Sequence, residues 1–327
     1  EHWTGKSWKR VTLPAAIAKK WNADSGISFP VVSASSARNV WAFSENFGSS
    51  SGSDGYLRFN GRKWTTGTIP RTSVASGHLV IITAANVVSS KDVWVFGGKL
   101  KASASGESFT PYAAEYNGHK WVSKSVPGDG AIVGVSEISA GNMWAAIGTP
   151  ELFAAGGSGP SSTPSVDQWN GKSWTAAAVQ PTSVLPAGAS LSSILAAKGG
   201  QVWIGGGATN TKGGTTEFAA ELSGSAWTLS TLSAPASSSD FALSSMASDG
   251  TGGIWAVASG LESAKIRIWH LTSGVWTGPS SPTFGSSERT IFQLAAVPGA
   301  SSVWGVGAVE HGSSADGLIA LVGPTPR

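Results

Sequence analysis

The chain has 327 residues, 43 of them Gly and 16 Trp, with no Cys and only 13% charged residues. Its formal charge of +3 is spread without a basic stripe and interleaved aromatics, which argues against a nucleic-acid partner, and the lack of Cys excludes disulfides, thiolate metal sites and a Cys nucleophile. The apolar fraction of 41% can bury a large core, and no apolar run approaches the roughly 18 residues a membrane span needs.

Glu1-His2-Trp3-Thr4-Gly5-Lys6-Ser7-Trp8 opens the chain inside what reads as a repeat, so a segment upstream, a secretion signal included, is expected. Residues 7–13 read as a strand stopped by Pro14, and residues 15–21 as a turn of helix carrying Ile17 and Trp21. A first complete unit follows. It has an apolar strand through Val31, a turn over 35–39, a second strand through Val40-Trp41, a long connection, and a third strand ending at Phe59. The turn Asn60-Gly61 and a fourth strand with Trp64 complete it, stopped by Pro70. Asn-Gly is a strong hairpin signal because a type I′ turn needs positive φ at both central residues.

That order recurs about every fifty residues. The second strands carry Trp94, Trp144, Trp203, Trp255 and Trp304, each after an apolar residue. The fourth strands carry Trp121, Trp174, Trp227 and Trp276, with Trp8 at the start of the chain as their counterpart. Third strands end at Tyr116, Trp169, Leu222 and Leu271, and Asn117-Gly118 and Asn170-Gly171 repeat the tight turn. The sixth unit has a third strand through Leu318 and Val322 but no fourth, and residues 7–13 supply the missing one.

Four short strands per unit with Trp at fixed offsets specify an all-β, six-bladed β-propeller of four-stranded blades. It forms one domain over 1–327, with blades near 29–70, 79–127, 131–181, 190–235, 241–282 and 291–322. The N-terminal strand within 1–14 completes the last blade and closes the ring. Strands are named a to d from the channel outward.

Asp92-Val93-Trp94-Val95-Phe96-Gly97-Gly98 with Tyr116-Asn117-Gly118-His119-Lys120-Trp121 resembles kelch blades. Gln168-Trp169-Asn170-Gly171-Lys172-Ser173-Trp174 and the first eight residues resemble the Trp-rich repeats of proteins secreted by actinomycetes. The resemblance covers essentially the whole chain and implies a propeller and an extracellular location. It does not extend to the copper chemistry of galactose-oxidase-like relatives. With no Cys, and with Tyr56, Tyr112 and Tyr116 as the only tyrosines, the Tyr–Cys cofactor cannot form. Ser51-Gly52-Ser53-Asp54-Gly55 begins like a sialidase Asp-box but lacks its Trp.

The b–c and d–a connections are long and variable, whereas the a–b and c–d turns are short and uniform, so the binding face is expected at the b–c/d–a end. Trp21 can stack on a sugar ring or anchor a protein there, or simply pack on Ile17. Just before the inner strands lie Asp24, His78, Asp129, Asp240 and the pair Glu288-Arg289. Together they can hold a polar ligand or a hard cation such as Ca²⁺ at the channel mouth, or individually cap turns. No motif requires a resident metal or cofactor.

The recurring polar residue before each third-strand end (His2, Arg58, Glu115, Gln168, Glu221, His270) points to hydrogen bonding at the rim or between blades. The function read from this pattern is a secreted, monomeric bacterial binding or scaffolding module for a glycan or an extracellular protein. The alternative is a carbohydrate-active hydrolase or lyase using two carboxylates at the mouth, with Asp129, Glu151, Asp240, Glu262 and Glu288 as the candidates.

Overall fold

A computed structural model describes residues 1–20, 27–46, 55–70, 78–103, 106–150, 162–197, 199–209, 214–230, 232, 241–260, 266–280, 288–311 and 314–324. The chain starts with a hairpin of β1 (His2–Trp3) and β2 (Trp8–Lys9), then helix α1 (Ala15–Lys20). The N–H groups of Ile17 and Ala18 both donate to the Pro14 carbonyl, so Pro14 starts the helix, whereas the strand before it ends at Lys9.

Six antiparallel sheets follow. The first holds β3 (Ile27–Ser36), β4 (Asn39–Asn46), β5 (Gly55–Phe59) and β6 (Trp64–Thr68). The second holds β7 (His78–Ser89), β8 (Asp92–Ser103), β9 (Gly106–Tyr116) and β10 (Trp121–Lys124). The third comprises β11 (Ala131–Ser139), β12 (Asn142–Gly148), β13 (Ser165–Trp169) and β14 (Trp174–Ala176). The fourth comprises β15 (Ser190–Ala196), β16 (Val202–Thr209), β17 (Thr215–Ser223) and β18 (Ala226–Ser230). The fifth has β19 (Phe241–Ser248), β20 (Ile254–Gly260), β21 (Ile266–Thr272) and β22 (Val275–Ser280). The sixth has β23 (Glu288–Ala296), β24 (Val303–His311) and β25 (Ser314–Val322).

One register runs through all six. The residue before each b-strand Trp pairs with the end of strand c: Val40 with Phe59, Val93 with Tyr116, Met143 with Trp169, Val202 with Leu222, Ile254 with Leu271, and Val303 with Val322. Alternation then turns the Trp itself toward the neighbouring sheet. Trp94 meets Trp169 and Trp174 of the third sheet at ring-centroid distances of 4.9 and 6.2 Å, and Trp41 meets Trp121 of the second at 6.0 Å. Full burial of a side chain of this kind stabilises by about 1.5–3 kcal/mol, so the Trp series supplies much of what holds sheet to sheet.

Inner strands pack in succession, β3 on β7, β7 on β11, and so on to β19 on β23. The molecule is therefore a six-bladed β-propeller, and the β1–β2 hairpin closes the ring. It does so by packing. The closing strand expected over 7–13 is two residues long and pairs with β1, and Trp3 and Trp8 lie 5.3 and 5.2 Å from Trp304 of the sixth sheet. On its other side, Leu13 and Ile17 pack, as Trp64 does, against Ala42 and Leu57 of the first sheet.

Candidate ligand-binding face

The two ends of the sheets are built differently. At the c–d end three of the turns share one lock. Asn60 Oδ1 accepts from the N–H groups of Arg62 and Lys63 at 3.1 and 3.0 Å. Asn117 Oδ1 accepts from His119 and Lys120 at the same distances, and Asn170 Oδ1 from Lys172 and Ser173 at 3.0 Å each. Gly61, Gly118 and Gly171 hold φ of +86°, +89° and +87°, a conformation that costs Gly little and other residues more.

The recurring polar position sits at this end, in register with the b-strand Trp: Arg58 opposite Trp41, Glu115 opposite Trp94, Gln168 opposite Trp144, Glu221 opposite Trp203, His270 opposite Trp255. Arg58 donates to the Ser90 carbonyl of the second sheet at 3.2 Å, and Gln168 donates to Asn142 Oδ1 at 3.1 Å. Glu221 accepts from Gln201 at 2.7 Å, and Glu115 pairs with Lys124 at 2.6 Å. In the fifth sheet His270 Nε2 lies 3.0 Å from Asp249 Oδ2. The Arg58 bond ties the first sheet to the second and the other four tie strands and turns within their own sheets, so these side chains serve the structure at this end of the ring.

The opposite end carries the long connections: β12 to β13 runs from Gly148 to Ser165, and β18 to β19 from Ser230 to Phe241. Of the candidate residues, Trp21, Asp24 and Asp240 lie outside the described residues, as do Glu151 and Glu262. His78, Glu288 and Arg289 are not ahead of the inner strands but within them. His78 begins β7 opposite Lys101, and Glu288 and Arg289 begin β23 opposite Glu310 and Val309; these side chains are outside the described set. Asp129 lies where expected, exposed in the link between β10 and β11 and directly before Gly130, whose N–H donates to the Phe109 carbonyl at 3.2 Å. The backbone thus brings His78, Asp129 and the Glu288-Arg289 pair to the same end of three inner strands.

Two polar groups at this end were not singled out from the sequence. Glu217 of β17 and Arg267 of β21 form a buried pair across the fourth and fifth sheets, with Arg267 Nη1 at 2.8 and 3.1 Å from the two carboxylate oxygens. The guanidinium also lies over the Phe241 ring, 3.9 Å from its centroid. With its charges matched, the pair fastens one seam of the ring close to the long connections.

Asp167 of β13 is 1% exposed, and burial pushes its carboxyl up to about 6. Its Oδ2, Ser165 Oγ and the Trp174 indole nitrogen find no hydrogen-bond partner among the described residues. Alternation along Ser165-Val166-Asp167-Gln168-Trp169 already places Asp167 on the inward face it shares with Trp169. The Glu217–Arg267 contact carries no such local signal, since fifty residues and a sheet boundary separate its halves. Among the described residues, no group of three or more His, Asp or Glu side chains could hold a metal ion, and no helix is long and apolar enough to cross a membrane.

No protein-family model and no curated protein matches the chain. Among solved structures it is similar to the SapL1 lectin in complex with α-methyl fucoside, with TM-score 0.52 and 15% identity over 91% of this chain and 98% of that one. It is also similar to the fungal Aleuria aurantia lectin, described by its six-bladed β-propeller fold and its fucose recognition, with TM-score 0.50 and 14% identity over 89% and 94%. A xyloglucanase from Xanthomonas campestris matches with TM-score 0.57 and 12% identity over 89% of this chain but 46% of that one. At such identities the likeness is one of fold.

Proposed function

We propose that this chain is an exported binding propeller that takes a glycan on its b–c/d–a face. The observation that carries the reading is the inequality of the two ends. One end has tied rim residues and three turns with the same Asn lock, and the other carries the long connections of unequal length together with Asp129 and the starts of the inner strands. Variation confined to one end of a repeated scaffold is how such scaffolds acquire ligand sites. Two of the similar structures are lectins associated with fucose, which fits this reading, though they share only the fold. Trp21 follows directly on helix α1 and supplies the aromatic surface on which a sugar ring stacks. The carboxylates that precede or begin the inner strands supply acceptors for its hydroxyls, with Ca²⁺ as an optional bridge. The actinomycete-like Trp repeats support export from a bacterium.

The test is a glycan-array and immobilised-polysaccharide screen, run with and without Ca²⁺ and assayed for released sugar. Saturable binding without release, weakened at least tenfold by Trp21→Ala, is the expected result. Released sugar would turn the reading to the hydrolase with two carboxylates about 5–10 Å apart. A blank screen with folded protein would turn it to a protein ligand.

A further inference from the structure

Among the described residues, the hairpin closes the ring at its c–d corner and leaves the inside of the junction between the sixth and first sheets uncovered. Two residues beyond the b-strand Trp, toward the next sheet, stand Phe43, Phe96 and Val257, each fully buried. The sixth sheet has Val306 at this position, and it is 41% exposed. The facing side of the first sheet shows the same. Val32 pairs with Ala42, the residue after the b-strand Trp, as Ile194, Met246 and Leu294 pair with their counterparts. Those three are buried to 6%, 6% and 7% exposure, whereas Val32 is 59% exposed.

At the bulge of the inner strand, Thr83 and Ser192 donate to the Ile132 and Leu243 carbonyls of the next sheet. The sixth sheet has Phe292 at its bulge, 59% exposed. Among the described residues, β23 and β3 lack the packing that joins every other pair of successive inner strands.

The hairpin explains the geometry of this gap. Trp3 and Trp8 stand on Trp304 as Trp169 and Trp174 of the third sheet stand on Trp94 of the second. It therefore occupies the c–d corner of a blade position following the sixth sheet, while the a and b positions inside it are unfilled among the described residues. Trp3 corresponds to the c-strand end, which in every sheet pairs with the residue before a b-strand Trp. We propose that the face between the sixth and first sheets is a docking site for a β-hairpin of this same repeat type. The occupant is an apolar inner strand followed by a strand bearing an apolar-Trp pair. Its second strand adds to the free edge of β1, and its side chains cover Val306, Phe292 and Val32. The named residues of the two faces carry no charge, which suits an apolar strand pair and disfavours a charged peptide. The site is independent of the proposed glycan face.

The probe is a synthetic peptide with the sequence of residues 131–148, the a–b hairpin of the third sheet, added to the intact chain. Expected are saturable binding at one peptide per chain, a raised thermal midpoint and a blue shift in Trp emission. A scrambled peptide should not bind. Val306→Arg, at a position already open to solvent, should keep the fold by circular dichroism and weaken binding at least tenfold. Leu229→Arg, at an exposed position of β18, should leave binding unchanged. No binding, or equal binding to Val306→Arg, overturns the proposal. So does a dimer of the intact chain that Val306→Arg dissolves, since the face then belongs to a second copy.

Discussion

His270 and Trp255 lie face to face, with ring centroids 3.8 Å apart and planes within 1° of parallel. The stack is held from both sides. His270 Nε2 meets Asp249, and the Trp255 indole N–H donates to the Ser301 carbonyl of the sixth sheet at 2.9 Å. Burial pushes the Asp249 carboxyl up. Bonds from the Thr251 N–H, His270, the Thr251 hydroxyl and the Gly253 N–H outweigh it, so the group sits below its ordinary value.

A depressed carboxylate contributes stability above its unfolded pKa and loses it as pH falls through the folded one. Asp249→Asn is expected to cost about 1–3 kcal/mol at pH 7 and to flatten the acid limb of the stability curve below about pH 4. Urea unfolding at pH 7 and pH 3 checks this. An equal loss at both would show that the carboxylate charge contributes nothing.

Asp167 has the opposite sign. Its folded pKa of about 6 lies above the unfolded value, so stability is highest below pH 4 and falls as pH rises through about 6. The loss is on the order of 3 kcal/mol. Asp167→Asn is expected to raise the thermal midpoint at pH 8 and to leave it nearly unchanged at pH 4. The same shift at both values would mean that the buried carboxyl does not titrate between them.

The Glu217–Arg267 pair should behave as a unit. Arg267→Met leaves a buried carboxylate uncompensated and is expected to cost about 3–5 kcal/mol. Adding Glu217→Gln should return a large part of that loss, with a coupling in the double-mutant cycle of about 1–3 kcal/mol. Strict additivity would assign the loss to the stack on Phe241 instead.

Trp8→Ala removes one ring of the closing cluster. About 2–4 kcal/mol of destabilisation is expected, a little under a fully buried Trp, together with a red shift in Trp emission as Trp304 gains solvent. Deleting residues 1–14 should do more harm, because Leu13 also leaves the first sheet.

The fold was legible in the sequence because its determinants are periodic. Trp94 and Trp121 recur with their neighbours at fixed offsets, and Asn117-Gly118 marks where the c–d connection falls. The turn type was not legible: only Gly118 of the pair has positive φ, and the connection between Tyr116 and Trp121 is four residues long, closed by the Asn117 side chain, rather than a two-residue type I′ turn. The length of the closing strand was not legible, since whether residues 7–13 pair with β25 or only pack near it depends on how much space the ring leaves. The position of Asp129 ahead of its inner strand was legible because that link reads as a turn. His78 and Glu288 were placed one step too early, because an inner strand can extend into polar sequence without any break in pattern. Glu217 and Arg267 were missed because charge on a strand reads as solvated until the neighbouring sheet is in place.

The Asn-Gly turns also set how this molecule ages. Deamidation at such a pair requires the Asn side-chain carbon to swing onto the nitrogen of the following Gly. With Asn60, Asn117 and Asn170 each held by two backbone N–H groups two and three residues on, that swing breaks two hydrogen bonds at once. The folded ring thus protects the three sequences most prone to this chemistry, and isoaspartate at Asn60, Asn117 or Asn170 becomes a chemical record of time spent unfolded.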